Sequence, residues 1–255
     1  MLRTLRILVL LLVLLSVALG NWLARARSTS WEHSLRVVVF PIDADGSPAT
    51  ARYIASLSRD TFAPIDAFMA SEAQRYGLAQ RDPVDVDVAP PVTRLPPALP
   101  PGGNALQIAL WSLQLRYWAW TNAAYAGPTP QVRMFVLYHD PERVSRLSHS
   151  LGLQKGLIGV VNAFAADAQA EPNNVIIVHE MLHTLGATDK YDPATNQPLH
   201  PIGYAEPELD PAFPQRFAEV MGGRVPLSPA EARIPDSLDE VLIGAATALE
   251  IRWLE

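Results

Sequence analysis

Cysteine is absent from this 255-residue chain, which excludes disulfides and a cysteine-borne lipid anchor. The compartment stays open on that ground, because a domain of this size buries enough core to fold without cross-links. Basic charge is also in short supply. The 20 Lys and Arg residues face 26 Asp and Glu, and the net charge of -6 carries no basic stripe, which argues against nucleic acid as a partner. No internal repeat is apparent.

The apolar residues are concentrated at the N-terminus. Arg3 and Arg6 precede an apolar run over residues 7–19, interrupted only by Ser16. Ala18, Leu19 and Gly20 resemble a small-residue cleavage site, and Ala24, Arg25 and Ala26 offer a second. Extended to Ala24 the run reaches 18 residues, barely enough to span a bilayer, with Trp22 at interface height. Residues 1–27 are therefore expected to be a signal peptide or a membrane anchor. Arg25 and Arg27 balance Arg3 and Arg6, so orientation rests on the usual N-terminus-inside arrangement. Either way residues 28–255 are exported as a single domain, periplasmic or secreted, or anchored and facing the extracytoplasmic side.

The most informative stretch runs from His179 to Asp189 (HEMLHTLGATD). Residues four apart on an α-helix share a face, so His179 and His183 can converge on one metal ion, with Glu180 beside it. A carboxylate there can take a proton from a zinc-activated water and pass it to a leaving amine. Gly186 can end the helix in a left-handed conformation and turn the chain back, and Asp189 then supplies an oxygen as third protein ligand. The five-residue HExxH pattern arises by chance in roughly 0.7% of shuffled chains of this composition, and Gly186 with Asp189 lowers that about 300-fold. These residues are read as a zinc site. No cysteine is available to cover the metal as a switch.

At these positions the chain resembles the metzincin class of zinc peptidases, in the variant with aspartate as third ligand seen in snapalysin-like enzymes. Residues 156–255 carry that resemblance; upstream it rests on element order. It implies a methionine in a tight turn beneath the metal. Met221, followed by Gly222 and Gly223, lies 32 residues after Asp189 and fits. It also implies an edge strand at residues 157–164 that pairs with an extended peptide; an interior strand is the competing reading of that two-sided apolar run. Several metzincins carry a tyrosine two residues after the methionine, where this chain has Gly223. Tyr191 and Tyr204 are the alternative candidates for stabilising an oxyanion.

Other assignments stay open. Asp192 shares a loop with Asp189 and is an alternative ligand, and Glu206 and Glu219 are minor ones. Asp189, Asp192 and Asn196 could bind calcium, although turn chemistry accounts for them more simply. His33, His139, His149 and His200 lack ligand spacing.

Residues 35–40 read as a buried strand. Ser47 and Pro48 open a helix over 48–76, with a break at Pro64 and Ile65, Phe68, Met69 and Tyr76 on one stripe. Residues 84–89 alternate as a half-exposed strand through Asp85 and Asp87. Residues 83–101 hold seven prolines in 19 positions and read as a rigid extended connection rather than a substrate-shaping flap. Asn104 caps a helix to about Thr121 whose Trp111, Trp118 and Trp120 are assigned to core packing. Residues 132–137 form a strand and 141–151 a helix. The motif helix starts within 171–174 and is buried by Val175, Ile176, Val178, Met181, Leu182 and Leu185. Capping boxes stand at Ser228/Glu231 and Ser237/Glu240, the second opening a helix to about Trp253.

The pattern predicts an α/β (α+β) fold of zincin type, a mixed sheet covered by helices. The expected activity is hydrolysis of a peptide bond in a peptide or protein substrate, with Glu180 as general base and His179, His183 and Asp189 as zinc ligands. Gly186 and Met221 are expected to support the site. The alternatives are a membrane-tethered zinc-binding scaffold without turnover, and a zinc amidase acting on a non-peptide amide.

Overall fold

The computed structural model describes Arg6, Ile7, Leu12 and residues 28–254. The expected signal or anchor at 1–27 lies, apart from those three residues, outside the described part. Among the described residues no helix is long and apolar enough to cross a membrane.

A five-stranded mixed sheet organises the chain, with strands β1 (Leu35–Asp43), β2 (Val84–Val88), β3 (Val132–His139), β4 (Leu151–Leu153) and β5 (Ile158–Phe164) in the order β2-β1-β3-β5-β4. The first four in that order run parallel, and β4 is antiparallel to β5. Parallel strands buried on both faces need apolar residues at successive positions, as in Val37 to Phe40 and Met134 to Val136. Val37 and Val39 face one helical layer; Val38, Phe40 and Ile42 face the other. Helices α1 (Pro48–Ser56), α2 (Arg59–Arg75) and α4 (Ala170–Leu185) cover the first face. On the second lies α3 (Ala105–Asn122), which buries Trp111, Leu115 and Ala119.

Local signals set most helix starts. The Ser47 hydroxyl accepts from the Thr50 amide, and Asn104 and Gln107 exchange side-chain-to-backbone bonds in a capping box. After α4 the chain is mostly irregular. It carries the two-stranded ladders of β6 (Ala218–Glu219) with β9 (Val241–Leu242) and of β7 (Val225–Ser228) with β8 (Glu231–Arg233), then the short helix α5 (Ala245–Glu250). Trp31 packs edge-on against Trp253 and donates its indole N–H to the Ile251 carbonyl, joining the segment ahead of β1 to the end of α5.

Several expectations need correction. The 48–76 helix breaks at Leu57 and Ser58, where Ser58 starts a new helix with Thr61, while Pro64 sits inside α2. Residues 141–151 form no helix. Asp140 caps a single turn, and the segment holds no buried residue whose packing could extend it. Strand β5 is interior and the edge belongs to β4. Ser228 and Glu231 flank a hairpin turn, and Ser237 opens only a 3-10 turn at Leu238–Glu240, because β9 intervenes before α5. Trp111 is buried and Trp118 packs edge-on against Phe135, but Trp120 is exposed.

Candidate metal centre

Helix α4 carries His179, Glu180 and His183 on its cleft side and ends at Gly186, whose φ of 111° is the left-handed conformation that glycine reaches without strain. The Gly186 amide donates to the Leu182 and His183 carbonyls, and the chain reverses so that Asp189 returns to the histidines. His183 Nε2 lies 3.1 Å from His179 Nε2, and Asp189 Oδ1 lies 3.2 Å from His179 Nε2 and 3.1 Å from His183 Nε2.

The other ring nitrogens fix the tautomers. His179 Nδ1 is 2.8 Å from the Val220 carbonyl and His183 Nδ1 is 2.8 Å from the Ala187 carbonyl. A carbonyl only accepts, so each Nδ1 carries a proton, and in the neutral ring each Nε2 presents a lone pair. Two lone pairs and a carboxylate oxygen thus converge on one point. A cation relieves that repulsion. Ligands about 2.0–2.2 Å from a tetrahedral zinc ion stand about 3.3–3.5 Å apart, within a few tenths of an ångström of the distances here. Glu180 Oε2 is buried with no hydrogen-bond partner, an orphaned acceptor beside the cluster. The three donors can hold a metal ion.

Burial is the largest influence on each titrating group. It pushes the Glu180 carboxyl up, against the lowering effect of the two histidines. At Asp189 the two adjoining imidazoles, which charge when no cation is bound, outweigh burial and hold the carboxylate far below its usual range. At His183 the bonds to Asp189 and Ala187 overcome burial and raise the imidazole.

Beneath the ligands lies the turn Glu219-Val220-Met221-Gly222. The buried Glu219 carboxylate accepts from the Met221 and Gly222 amides at 2.7 Å, from the Gly244 amide at 3.0 Å and from the Thr247 hydroxyl at 2.6 Å. That holds Val220 where its carbonyl meets His179. Met221 is fully buried in the turn, and its carbonyl accepts from the Lys190 amide. On the far side of the loop that carries Asp189, Glu250 of α5 accepts from the Thr188 amide, the Thr188 hydroxyl and the Lys190 ammonium.

The cleft, about 260 Å³, is lined by Ser150, Leu151 and Gly152 of the β4 edge together with His179, Glu180, His183, Asp189 and Tyr191. A Cβ at Gly152 would stand 2.3 Å from the Glu180 carbonyl oxygen, so only glycine lets β4 lie this close to α4. The Tyr191 ring is 6.5 Å from that of His179. Burial and the nearby Asp189 and Glu180 charges raise its hydroxyl's pKa, keeping it a donor.

The remaining candidates are placed elsewhere. Tyr204 packs between His200 and Phe213. Asp192 accepts from the Ala194 amide in its own turn, as turn chemistry requires, and Glu206 is paired with Arg216. His139 bonds Asn162, and His200 meets the Pro207 carbonyl. Among the described residues His179, His183 and Asp189 form the one grouping able to hold a metal. Sequence reasoning missed Gly152, the role of Glu219 and the Thr188–Lys190–Glu250 cluster. The glycine gave no signal because it stands between the segments read as helix and strand, and the others depend on contacts 25 or more residues apart.

No protein-family model matches the chain, and no curated protein matches it in sequence.

Proposed function

We propose that this chain is a zinc-dependent metallopeptidase of metzincin type acting outside the cytoplasm. The observation that carries the reading is the convergence of two imidazole Nε2 atoms, each with its Nδ1 turned to a backbone carbonyl, and the Asp189 carboxylate next to the unpartnered Glu180 oxygen. Three protein ligands, rather than the four usual for a structural site, favour catalysis over a scaffold role. A zinc ion held there supplies a Lewis acid and lowers the pKa of a water towards about 7.

Glu180 takes the proton of the attacking water and returns it to the leaving amine. Its raised pKa brings it nearer the pH at which it must both accept and donate. Tyr191 is our candidate donor to the oxygen on which charge develops. The free edge of β4, beside the histidines, offers backbone groups to an extended peptide. Met221 and its turn form the floor beneath the ligands. The apolar run over residues 7–19 supports export.

The test is metal content and peptide hydrolysis of the full chain. About one zinc per chain is expected. Glu180→Gln retains the metal and loses hydrolysis by about 10²–10⁴-fold. Equal hydrolysis in Glu180→Gln removes the mechanism, and a parent chain that takes up no zinc removes the site. Tyr191→Phe should lower kcat by about 10²-fold, while Tyr204→Phe leaves it unchanged.

A further inference from the structure

Helix α3 (Ala105–Asn122) is apolar on both sides. Trp111, Leu115 and Ala119 face the sheet, while Leu106, Leu110, Leu113, Tyr117 and Trp120 form a second stripe between 56 and 76% exposed. Leu95 and Leu99 of the preceding proline-rich connection add to the exposed apolar surface. A helix apolar all round is ordinarily covered on all sides.

Charge points to what covers it. In a chain of net charge -6, residues 88–139 contain no Asp or Glu and three arginines, Arg94, Arg116 and Arg133. The outer stripe ends in a tyrosine and a tryptophan, the side chains that settle at the boundary between lipid and water. A helix-to-helix contact with a second copy would exploit the same four-three spacing, but the flanking Gln107, Ala109 and Gln114 offer no ion pairs to set it.

We infer that α3 is a docking face for an anionic lipid bilayer, lying along the surface with its leucine stripe among the headgroups. The helix is already packed on the sheet through its inner side, so it rests on the membrane rather than crossing it. The inference does not depend on the metal site.

The absence of native cysteine makes a direct test possible. Leu113→Cys in the full chain is labelled with an environment-sensitive fluorophore, and Ser71→Cys, on exposed α2 of the opposite layer, serves as control. Vesicles of phosphatidylcholine and phosphatidylglycerol, with and without nitroxide-labelled lipid, are then added. The expected result is blue-shifted, lipid-quenched emission at position 113 only, lost when Leu106→Ser and Trp120→Ser are introduced. An unshifted probe at 113 in vesicle-bound chain overturns the proposal, as does equal quenching at position 71. Burial of the 113 probe before lipid is added also overturns it. Burial that dilution reverses would assign the face to a second copy, and burial that dilution leaves intact to this chain's own N-terminal segment. Zinc content and hydrolysis are read on the same variants, so failure here is separable from failure of the peptidase reading.

Discussion

Glu219 sits among four hydrogen-bond donors, three backbone amides and the Thr247 hydroxyl, with its side chain fully buried. An ionised carboxylate satisfies all of them; a glutamine amide turns two of its own N–H bonds towards other donors. Glu219→Gln is expected to cost about 2–4 kcal/mol of stability in urea unfolding. Because the same turn presents the Val220 carbonyl to His179, zinc affinity should fall by about 10–100-fold as well. Lower stability with unchanged zinc affinity would show that the turn does not position the histidine. Gly152→Ala acts from the opposite wall. Its added methyl meets the Glu180 carbonyl and the His183 Cβ at 2.3 and 2.5 Å, so β4 must withdraw from the cleft. Overpacking of this kind costs about 1–3 kcal/mol, and hydrolysis of extended peptides is expected to weaken with it.

At the scale of elements, α2 and β2 meet through a carboxylate that has no full counter-charge. Asp66 on α2 accepts from the Val86 amide of β2, and burial pushes its pKa up from 3.8 to about 6. An acid with a raised folded pKa favours the folded chain only while protonated. Its ionisation penalty grows between about pH 4 and pH 6 and is complete above that range. Asp66→Asn keeps an acceptor for Val86 and removes the penalty. It should stabilise the chain by about 1–2 kcal/mol at pH 7, after allowance for partial solvent screening, with no gain below pH 4. Thermal unfolding across pH decides it, and a pH-independent effect would mean that packing rather than charge is responsible. The elements themselves were legible wherever the chain carries its own punctuation. Ser47 with Pro48, Asn104, and Gly186 each mark a boundary that a local side-chain cap or a left-handed backbone enforces. Residues 141–151 and 237–253 misled because their caps are genuine but too little buried apolar surface follows to continue a helix. The edge position of β4 was hidden because three residues of half-buried strand carry too little pattern to see.

For the molecule as a whole, the loop that carries Asp189 and the closing segment of the chain are linked by hydrogen bonds. Lys190 is 1% exposed, and its ammonium bonds the Thr188 carbonyl and the Glu250 carboxylate. Glu250 also holds the Thr188 amide and hydroxyl, so α5 ties down the residues on both sides of Asp189. The sequence shows Asp189 at its motif offset, yet nothing local reveals that a glutamate of the closing helix holds both of its neighbours. Glu250→Ala leaves a buried ammonium without its counter-ion, a loss of about 3–5 kcal/mol. The consequence for the metal follows from linkage. Zinc that binds the folded chain alone stabilises it by about 2.7 kcal/mol at a hundred times Kd, which for a domain of this size is a Tm shift of roughly 5–10 °C. Chelation should therefore lower the Tm of the parent chain by that amount and leave Asp189→Ala unmoved. Glu250→Ala should unfold earlier and show a smaller response to chelation, since the loop that carries the third ligand is no longer held. Calorimetry of the three chains with and without chelator checks this. An undiminished chelation shift in Glu250→Ala would establish that Gly186 and the two histidine-to-carbonyl bonds place Asp189 without help from α5.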